Sequence, residues 1–344
     1  MGKKLFDYVI GNPPYHEDTQ AQGDRANPVY NQFIDASYTV SDKVMLITLA
    51  RFLFNAGQTP KAWNRKMLDD PHLKVMHYES EAAKVFPNTD IKGGVAIIYH
   101  DETKNYGAIG TFTSYPELNE IIHKVNSIEQ DRPRLNSIIA SQGLYRFSEK
   151  FFEEHPEIEG VQGTGTGAKI VSSVMTKLPN VFTINAFEGA IRFLGRVGGK
   201  REYRYIDRSY IVENPYLDKY NLFLPEANNS GQFGETLTEP TLGLPNDGSA
   251  DTFLSVGQFE SATEPNNLCT YLKTKFFRTL LGIKKVTQHC PPSVWAMIPL
   301  QDFTSSSDID WSMSIHEIDL QLYRKYGLDE KEIAFIESHV KEMA

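Results

Sequence analysis

The chain has 344 residues, 40% of them hydrophobic and 23% charged, with a formal net charge of −9. Such a composition is ordinary for a soluble globular protein of about two domains, and the acidic sum argues against a generic nucleic-acid binder, which is basic overall. Binding follows local charge, however, and Arg192, Arg196, Lys200, Arg201, Arg204 and Arg208 crowd one segment opposed only by Glu202 and Asp207. No apolar run reaches the ~18 residues of a membrane span, so no membrane partner is expected. There is no signal-peptide pattern, and the two cysteines, Cys269 and Cys290, have no metal-like company. A cytoplasmic location, reduced and inert thiols and no metal are therefore expected.

In chain order, Leu5–Gly11 is a short apolar run closed by Gly and Pro, which predicts a buried strand and then a loop. Asn27-Pro28 predicts a helix start, with Asn as N-cap and Pro in the first helical position. Val29, Phe33, Ser37 and Val40 would form its stripe, flanked by Tyr30 and Ile34. Lys43–Phe54 is apolar almost throughout from Val44 to Ala50, as suits a strand covered by helices on both faces. Leu73–Tyr78 and Val95–Tyr99 are further strands. Strand–helix–strand order at these lengths predicts a mainly parallel sheet in an α/β fold.

Residues 106–135 read as helical, with Leu118, Ile121, Ile122 and Val125 at helical spacing. From about 136 to 300 the chain is rich in Gly, Thr, Asn and Tyr, with short apolar runs. Arg201–Val212 has the aromatic and β-branched residues of strands. Glu226–Asp251, poor in large apolar residues, predicts a long loop. The end is helical again. Ile318, Leu322 and Tyr326 share a face, Gly327 fits a C-cap, and Asp329 with Glu332 forms a capping box before Ile333, Ile336, Val340 and Met343.

The informative stretch is Phe6-Asp-Tyr-Val-Ile-Gly-Asn-Pro-Pro-Tyr15. It resembles the catalytic loop of amino-methyltransferases, and that resemblance implies its chemistry: an exocyclic amino nitrogen such as adenine N6 is a poor nucleophile, because its lone pair is conjugated with the ring. Two acceptors aimed at its N–H bonds, the Asn12 side-chain oxygen and the Pro13 carbonyl, favour a tetrahedral nitrogen with a localised lone pair. Pro13 and Pro14 fix the backbone that carries these acceptors. Tyr15 offers a ring face to a base taken out of the duplex. The segment resembles motif IV of S-adenosylmethionine (SAM)-dependent amino-methyltransferases, and the chain is similar to Eco57I-like N6-adenine DNA methyltransferases of restriction–modification systems, from motif IV onward.

Other stretches carry the same resemblance. Phe86-Pro-Asn-Thr-Asp-Ile-Lys-Gly-Gly-Val-Ala-Ile-Ile-Tyr99 resembles the motif VIII region, with a Gly-Gly turn opening a strand beside the active site, and Ile47-Thr-Leu-Ala-Arg51 resembles motif VI. Thr287-Gln-His-Cys-Pro and Trp295-Ala-Met-Ile-Pro299 resemble the end of the target-recognition region. Ile309-Asp-Trp-Ser and the tail from Ile318 resemble the family's C-terminus. The resemblance implies a partial Rossmann-like methyltransferase sheet over 1–110, a helical linker over 111–135, an α+β target-recognition domain over 136–305 and C-terminal helices over 306–344. It implies catalysis by Asn12, Pro13, Pro14 and Tyr15, with Asn12 also on the cofactor side. Arg51, Lys92, Arg192, Arg196, Lys200, Arg201 and Arg204 are candidate contacts to double-stranded DNA.

The same loop serves glutamine-N5 and guanine-N2 methyltransferases, but the long region after Tyr99 favours DNA. A SAM-binding half is expected from a preceding N-terminal segment or a partner subunit. Gly163-Thr-Gly-Thr-Gly167, the one rival cofactor loop, follows an acidic stretch that does not read as a buried strand, so it is expected to be a flexible or DNA-facing turn. The alternative function is a non-catalytic DNA-recognition module whose partner carries the SAM-binding half.

Overall fold

Four strands form the sheet of the first part of the chain: β1 (Val9–Gly11), β2 (Lys43–Leu49), β3 (Leu73–Glu79) and β4 (Val95–Asp101), in the order β1-β2-β4-β3. The computed structural model describes residues 4–17, 27–56, 58–87, 89, 91, 93–162, 167–285 and 287–343. Lys92 and most of the Gly163–Gly167 turn lie outside the described residues. β1 pairs in parallel with β2, and β4 lies antiparallel between β2 and β3. The expected mainly parallel sheet is therefore a mixed one. β1, β2 and β3 do run one way, but β4 returns between β2 and β3, and spacing along a sequence does not show where a strand is inserted.

Two glycines open that return strand. Gly93 and Gly94 have φ of +87° and +76°, and a Cβ on Gly94 would fall 2.3 Å from the Glu79 carbonyl oxygen. Glycine is required there both for the left-handed conformation and for the close approach.

Helices α1 (Tyr30–Val40) and α2 (Lys61–Leu68) bury one face of the sheet. Tyr30, Ile34, Trp63 and Met67 pack with Val44, Leu46 and Ile98. Trp63 meets Tyr30 and Phe52 edge-on, with ring centroids 6.0 and 5.4 Å apart. Burial of each such ring contributes on the order of 2–3 kcal/mol. Met45 and Ile47 on the opposite face stay half-buried, so the cover expected on both faces of β2 is complete on one.

Two further expectations are corrected. α1 begins at Tyr30 rather than Pro28, and Phe33 is left exposed while Tyr30 and Ile34 are buried. The cause is Pro28, which keeps Asn27 extended, so the segment bridges His16 before the helix can start. Nor is the β1 run buried: Leu5 and Ile10 are each 76% exposed, and Phe6 and Tyr8 are exposed too. β1 is an edge strand, and neighbours among the described residues cover only its inner side.

The chain divides into two compact units, Met1–His123 and Lys124–Ala344. The boundary falls within α3 (Pro116–Ile128), whose Leu118, Ile121, Ile122 and Val125 are buried as their spacing predicts.

The second unit holds two three-stranded sheets. In one, β5 (Ala190–Val197) pairs with β6 (Lys200–Asp207) and β9 (Asp247–Ser249). In the other, β7 (Tyr220–Pro225) pairs with β8 (Thr241–Gly243) and β10 (Phe253–Phe259). Short helices α4 (Glu149–Glu154), α5 (Ile158–Val161) and α6 (Val174–Lys177) lie before β5. An aromatic core, with Phe147 and Phe151 stacked at 3.8 Å, joins these elements. Glu226–Asp251, expected as a loop, contains β8 and β9. Gly243 and Gly248 sit under rings: a Cβ on Gly243 would come within 2.9 Å of Phe223, and one on Gly248 within 2.6 Å of Phe193. The residues that read as loop composition are there to admit a ring.

Helices α7 (Thr263–Lys273), α8 (Lys275–Lys284), α9 (Ile315–Lys325) and α10 (Glu330–His339) complete the unit. The Asp329–Glu332 capping box of α10 is present as expected, and Ser314 with Glu317 forms another on α9. Each contributes about 1 kcal/mol. Asp319 on α9 accepts the Lys275 and Phe276 amides at 2.9 and 2.8 Å and so closes the start of α8.

Burial pushes the Asp319 carboxyl up to about 6. Between about pH 4 and 6 the folded protein then holds a proton that the unfolded chain, at an ordinary aspartate pKa, has released. Stability from this group is therefore fully present below pH 4 and is lost as pH rises through 6. The loss is up to about 3 kcal/mol for a shift of this size. Urea midpoints of wild type and Asp319→Asn, measured from pH 4 to 7, are expected to show a smaller downward slope in the variant. Parallel profiles would remove Asp319 as the cause.

Candidate active site and basic hairpin

β1 ends at Gly11, opposite Leu46 of β2, and the next four residues are Asn12, Pro13, Pro14 and Tyr15. Asn12 and Pro14 are exposed, whereas Pro13 and Tyr15 are half-buried. The loop is tied to the start of α1. The Val29 N–H donates to the Tyr15 carbonyl at 3.1 Å, and the Glu17 N–H donates to the Asn27 carbonyl at 3.0 Å. The pairing thus explains what Asn27-Pro28 does instead of capping the helix.

Tyr15 sets its ring edge-on against Phe86, with centroids 6.4 Å apart at 67°. Its hydroxyl is buried with no hydrogen-bond partner among the described residues. Burial raises its pKa to about 12, so the phenol stays protonated at any physiological pH and the side chain acts as a neutral ring. Phe86 belongs to the motif VIII-like stretch but was not among the expected site residues. A lone Phe between loop residues gives no periodic signal.

Arg51 follows the end of β2, where its stem lies along Gly93: a Cβ there would come within 2.9 Å of Arg51 Cγ. Beside it the Ala50 N–H donates to the Gly94 carbonyl at 3.1 Å. The ends of β1, β2 and β3 and the start of β4 therefore meet at one end of the sheet, as the register Leu49–Val95–Glu79 requires. Open α/β sheets bind ligands beyond the carboxyl ends of their parallel strands. Asn12 and Tyr15 of the loop after β1 and the distant Arg51 after β2 all lie at that end.

The basic residues of the second unit are divided by the β5–β6 hairpin. Arg192 pairs with Asp247 through Nε at 2.8 Å and Nη2 at 2.6 Å, and lies 4.2 Å over the Tyr203 ring. Its hydrogen bonds to Asp247 raise its pKa. Arg204 is paired with Glu202 at 2.5 Å, and Arg208 with Glu213 and Asp218, each at 2.8 Å. Arg196, Lys200 and Arg201 stand exposed around the Gly198-Gly199 turn. Cross-strand register puts Arg192, Arg196 and Arg201 on one face and Lys200 and Arg204 on the other. The cluster seen in sequence is therefore not one patch. Both cysteines are free, and burial raises the Cys290 thiol to about 12, which keeps it protonated and unreactive. No helix among the described residues is long and apolar enough to cross a membrane.

Residues 1–86 match the family model described as Eco57I restriction-modification methylase. No curated protein matches the chain. Among solved structures, the type IIG restriction endonuclease BpuSI is similar with a TM-score of 0.31 and 10% identity, over 98% of this chain and 53% of that one. The ATP-dependent type ISP restriction-modification enzyme LlaBIII, bound to DNA, is similar with a TM-score of 0.19 and 14% identity, over 73% of this chain and 24% of that one. The chain thus spans about half the length of the BpuSI structure.

The Gly93-Gly94 turn gives a direct test of how the site is built. Gly94→Ala forces a Cβ into the Glu79 backbone, and is expected to destabilise the first unit by roughly 1–3 kcal/mol or more. Gly198→Ala, a left-handed glycine with open space around it, is expected to cost only about 1 kcal/mol. Equal losses in thermal unfolding would show that contact with Glu79 is not what fixes Gly94.

Proposed function

Residues 1–86 match the Eco57I restriction-modification methylase family, and from that premise we propose that this protein serves site-specific adenine-N6 methylation of double-stranded DNA, with SAM as methyl donor, in a restriction–modification system. The observation that carries the reading is the Asn12–Tyr15 loop at the carboxyl end of β1, with its exposed amide and its half-buried ring. In this reading residues 1–110 supply the catalytic loop, residues 136–305 read DNA, and Arg51 contacts DNA beside the loop.

The Asn12 Oδ1 and the Pro13 carbonyl accept the two N–H bonds of the adenine amino group and localise its lone pair. Pro14 and the backbone tie from Tyr15 to Val29 hold these acceptors in place before the base arrives. Tyr15 receives the flipped base on its ring, and its hydroxyl transfers no proton. When bound, SAM supplies a methyl group already activated as a sulfonium. Asn12 would help to hold it, and its other contacts would come from the SAM-binding half.

That half, whether a preceding segment or a partner subunit, docks on the outer edge of β1. A hydrogen-bonding edge flanked by exposed Leu5, Phe6, Tyr8 and Ile10 is a surface made to pair. The same open edge favours a second reading, a non-catalytic DNA-recognition module. SAM binding separates the two: a chain that binds DNA selectively but never binds SAM, alone or with a partner, is the module.

In the methylation-competent protein, Asn12→Ala is expected to lose methylation by about 10²-fold or more with little change in DNA affinity. Tyr15→Ala is expected to impair both base capture and turnover. Near-normal methylation by Asn12→Ala would overturn the mechanism. In hydrogen exchange, the amides of Tyr8–Ile10 should gain protection when the SAM-binding half is present. Full protection in a monomeric 344-residue chain would mean that the sheet is completed from within it.

A further inference from the structure

The β5–β6 hairpin ends in an unusual concentration of uncompensated charge. Arg196 and Arg201 are directly opposite each other across the two strands, and Lys200 faces Val197 from the other side of the ribbon. Like charges in directly opposed positions repel. Arg196 donates to the Gly199 carbonyl at 3.2 Å and Arg201 to Thr241 Oγ1 at 2.9 Å, which are neutral partners. None of the three cations makes an ion pair among the described residues. Glu202 is held by Arg204 at 2.5 Å, and Glu239, whose charge reaches Arg201, is held by Lys273 at 2.9 Å.

The tip itself is bare. Gly198 and Gly199 have φ of +56° and +79°, and a Cβ on either would meet nothing within 4 Å. Two left-handed residues make the tight hairpin turn whose twist matches the strands. The base of the ribbon is stiff by contrast, because Arg192 ties β5 to β9 through Asp247 and packs on Tyr203. A protein that lies on one row of phosphates needs cations on one face. Here the turn end of a two-stranded ribbon carries them on both faces, which suits a channel with phosphates on both walls.

We infer that the β5–β6 hairpin enters the major groove of DNA tip first, with Arg196 and Arg201 toward one phosphate row and Lys200 toward the other. The major groove, about 12 Å wide, admits a two-stranded ribbon, whereas the minor groove, about 6 Å wide, does not. The glycine tip lets backbone approach the base edges. This inference rests on the proposal that residues 136–305 bind DNA.

The test is the salt dependence of duplex binding by the full chain, measured by fluorescence anisotropy. Each phosphate contact contributes about 0.9 to the slope of log affinity against log salt. Lys200→Ala is expected to lower the slope by about one contact, Arg196→Ala/Arg201→Ala by about two, and the triple variant by about three. A loss confined to the arginine pair would mean one-faced docking and would overturn groove entry while leaving DNA binding intact. Unchanged slopes in all variants would overturn it as well. A second measurement needs no variant: duplex in which glucosylated 5-hydroxymethylcytosine fills the major groove should bind wild type with a slope lowered by about three contacts. An undiminished slope on that duplex would place the hairpin outside the groove. A wild-type chain that binds no duplex at all would instead remove the DNA reading on which the inference stands.

Discussion

The proposed catalytic loop hangs from a short parallel pairing, Val9–Gly11 against Val44–Leu46. Everything at the site follows from where that pairing stops. Because Gly11 is the last paired residue, opposite Leu46, Asn12 emerges at the carboxyl end of the strand, toward the end of the sheet where β2 finishes and β4 opens. Three residues of pairing hold a strand weakly, and the rest of the hold is local. The Tyr15 carbonyl is bonded to Val29, and the Tyr15 ring rests on Phe86. The loop is thus anchored at its far end by the helix start and at its near end by the sheet, with two prolines in between.

That arrangement divides the labour within four residues. The exposed pair, Asn12 and Pro14, faces solvent, while Pro13 and Tyr15 are drawn toward the core. Burial holds the Tyr15 phenol in its neutral form, so an aromatic surface is presented without an acid–base function. The neighbouring Gly93-Gly94 turn does related work with backbone alone. It lets β4 start against Glu79 and leaves room for the stem of Arg51. Neither device needs a charged group in the sheet interior, where an unpaired charge would be costly.

Charge in the second unit is distributed on a different principle. Arg192, Arg204 and Arg208 are consumed by carboxylates of the same unit and serve the fold. Arg196, Lys200 and Arg201, at the end of a ribbon stiffened by the Arg192–Asp247 pair, are not. An acidic protein can in this way keep a small cationic surface. Within the 192–208 segment, ion pairs take up Arg192, Arg204 and Arg208, and geometry sets apart the cations that remain.

Much of this was legible in the sequence. Asn12-Pro13-Pro14-Tyr15 after an apolar run marked the loop, because its residues are contiguous, while the chemistry proposed for it rests on the resemblance. The strands 43–49, 73–79 and 95–101, the buried stripe of α3 and the capping box of α10 were readable as well, since period, capping residues and composition are local properties. What the sequence could not decide was non-local. It did not show that β4 lies between β2 and β3, that Asn27-Pro28 would bridge the loop instead of starting the helix, or that β8 and β9 hide in a stretch of loop-like composition. Nor did it show that the five cations of the β5–β6 hairpin would be split between two faces, some neutralised and some left exposed. Each of these depends on which backbone edge or carboxylate from a distant part of the chain arrives as partner, and such partnerships are set by packing in three dimensions.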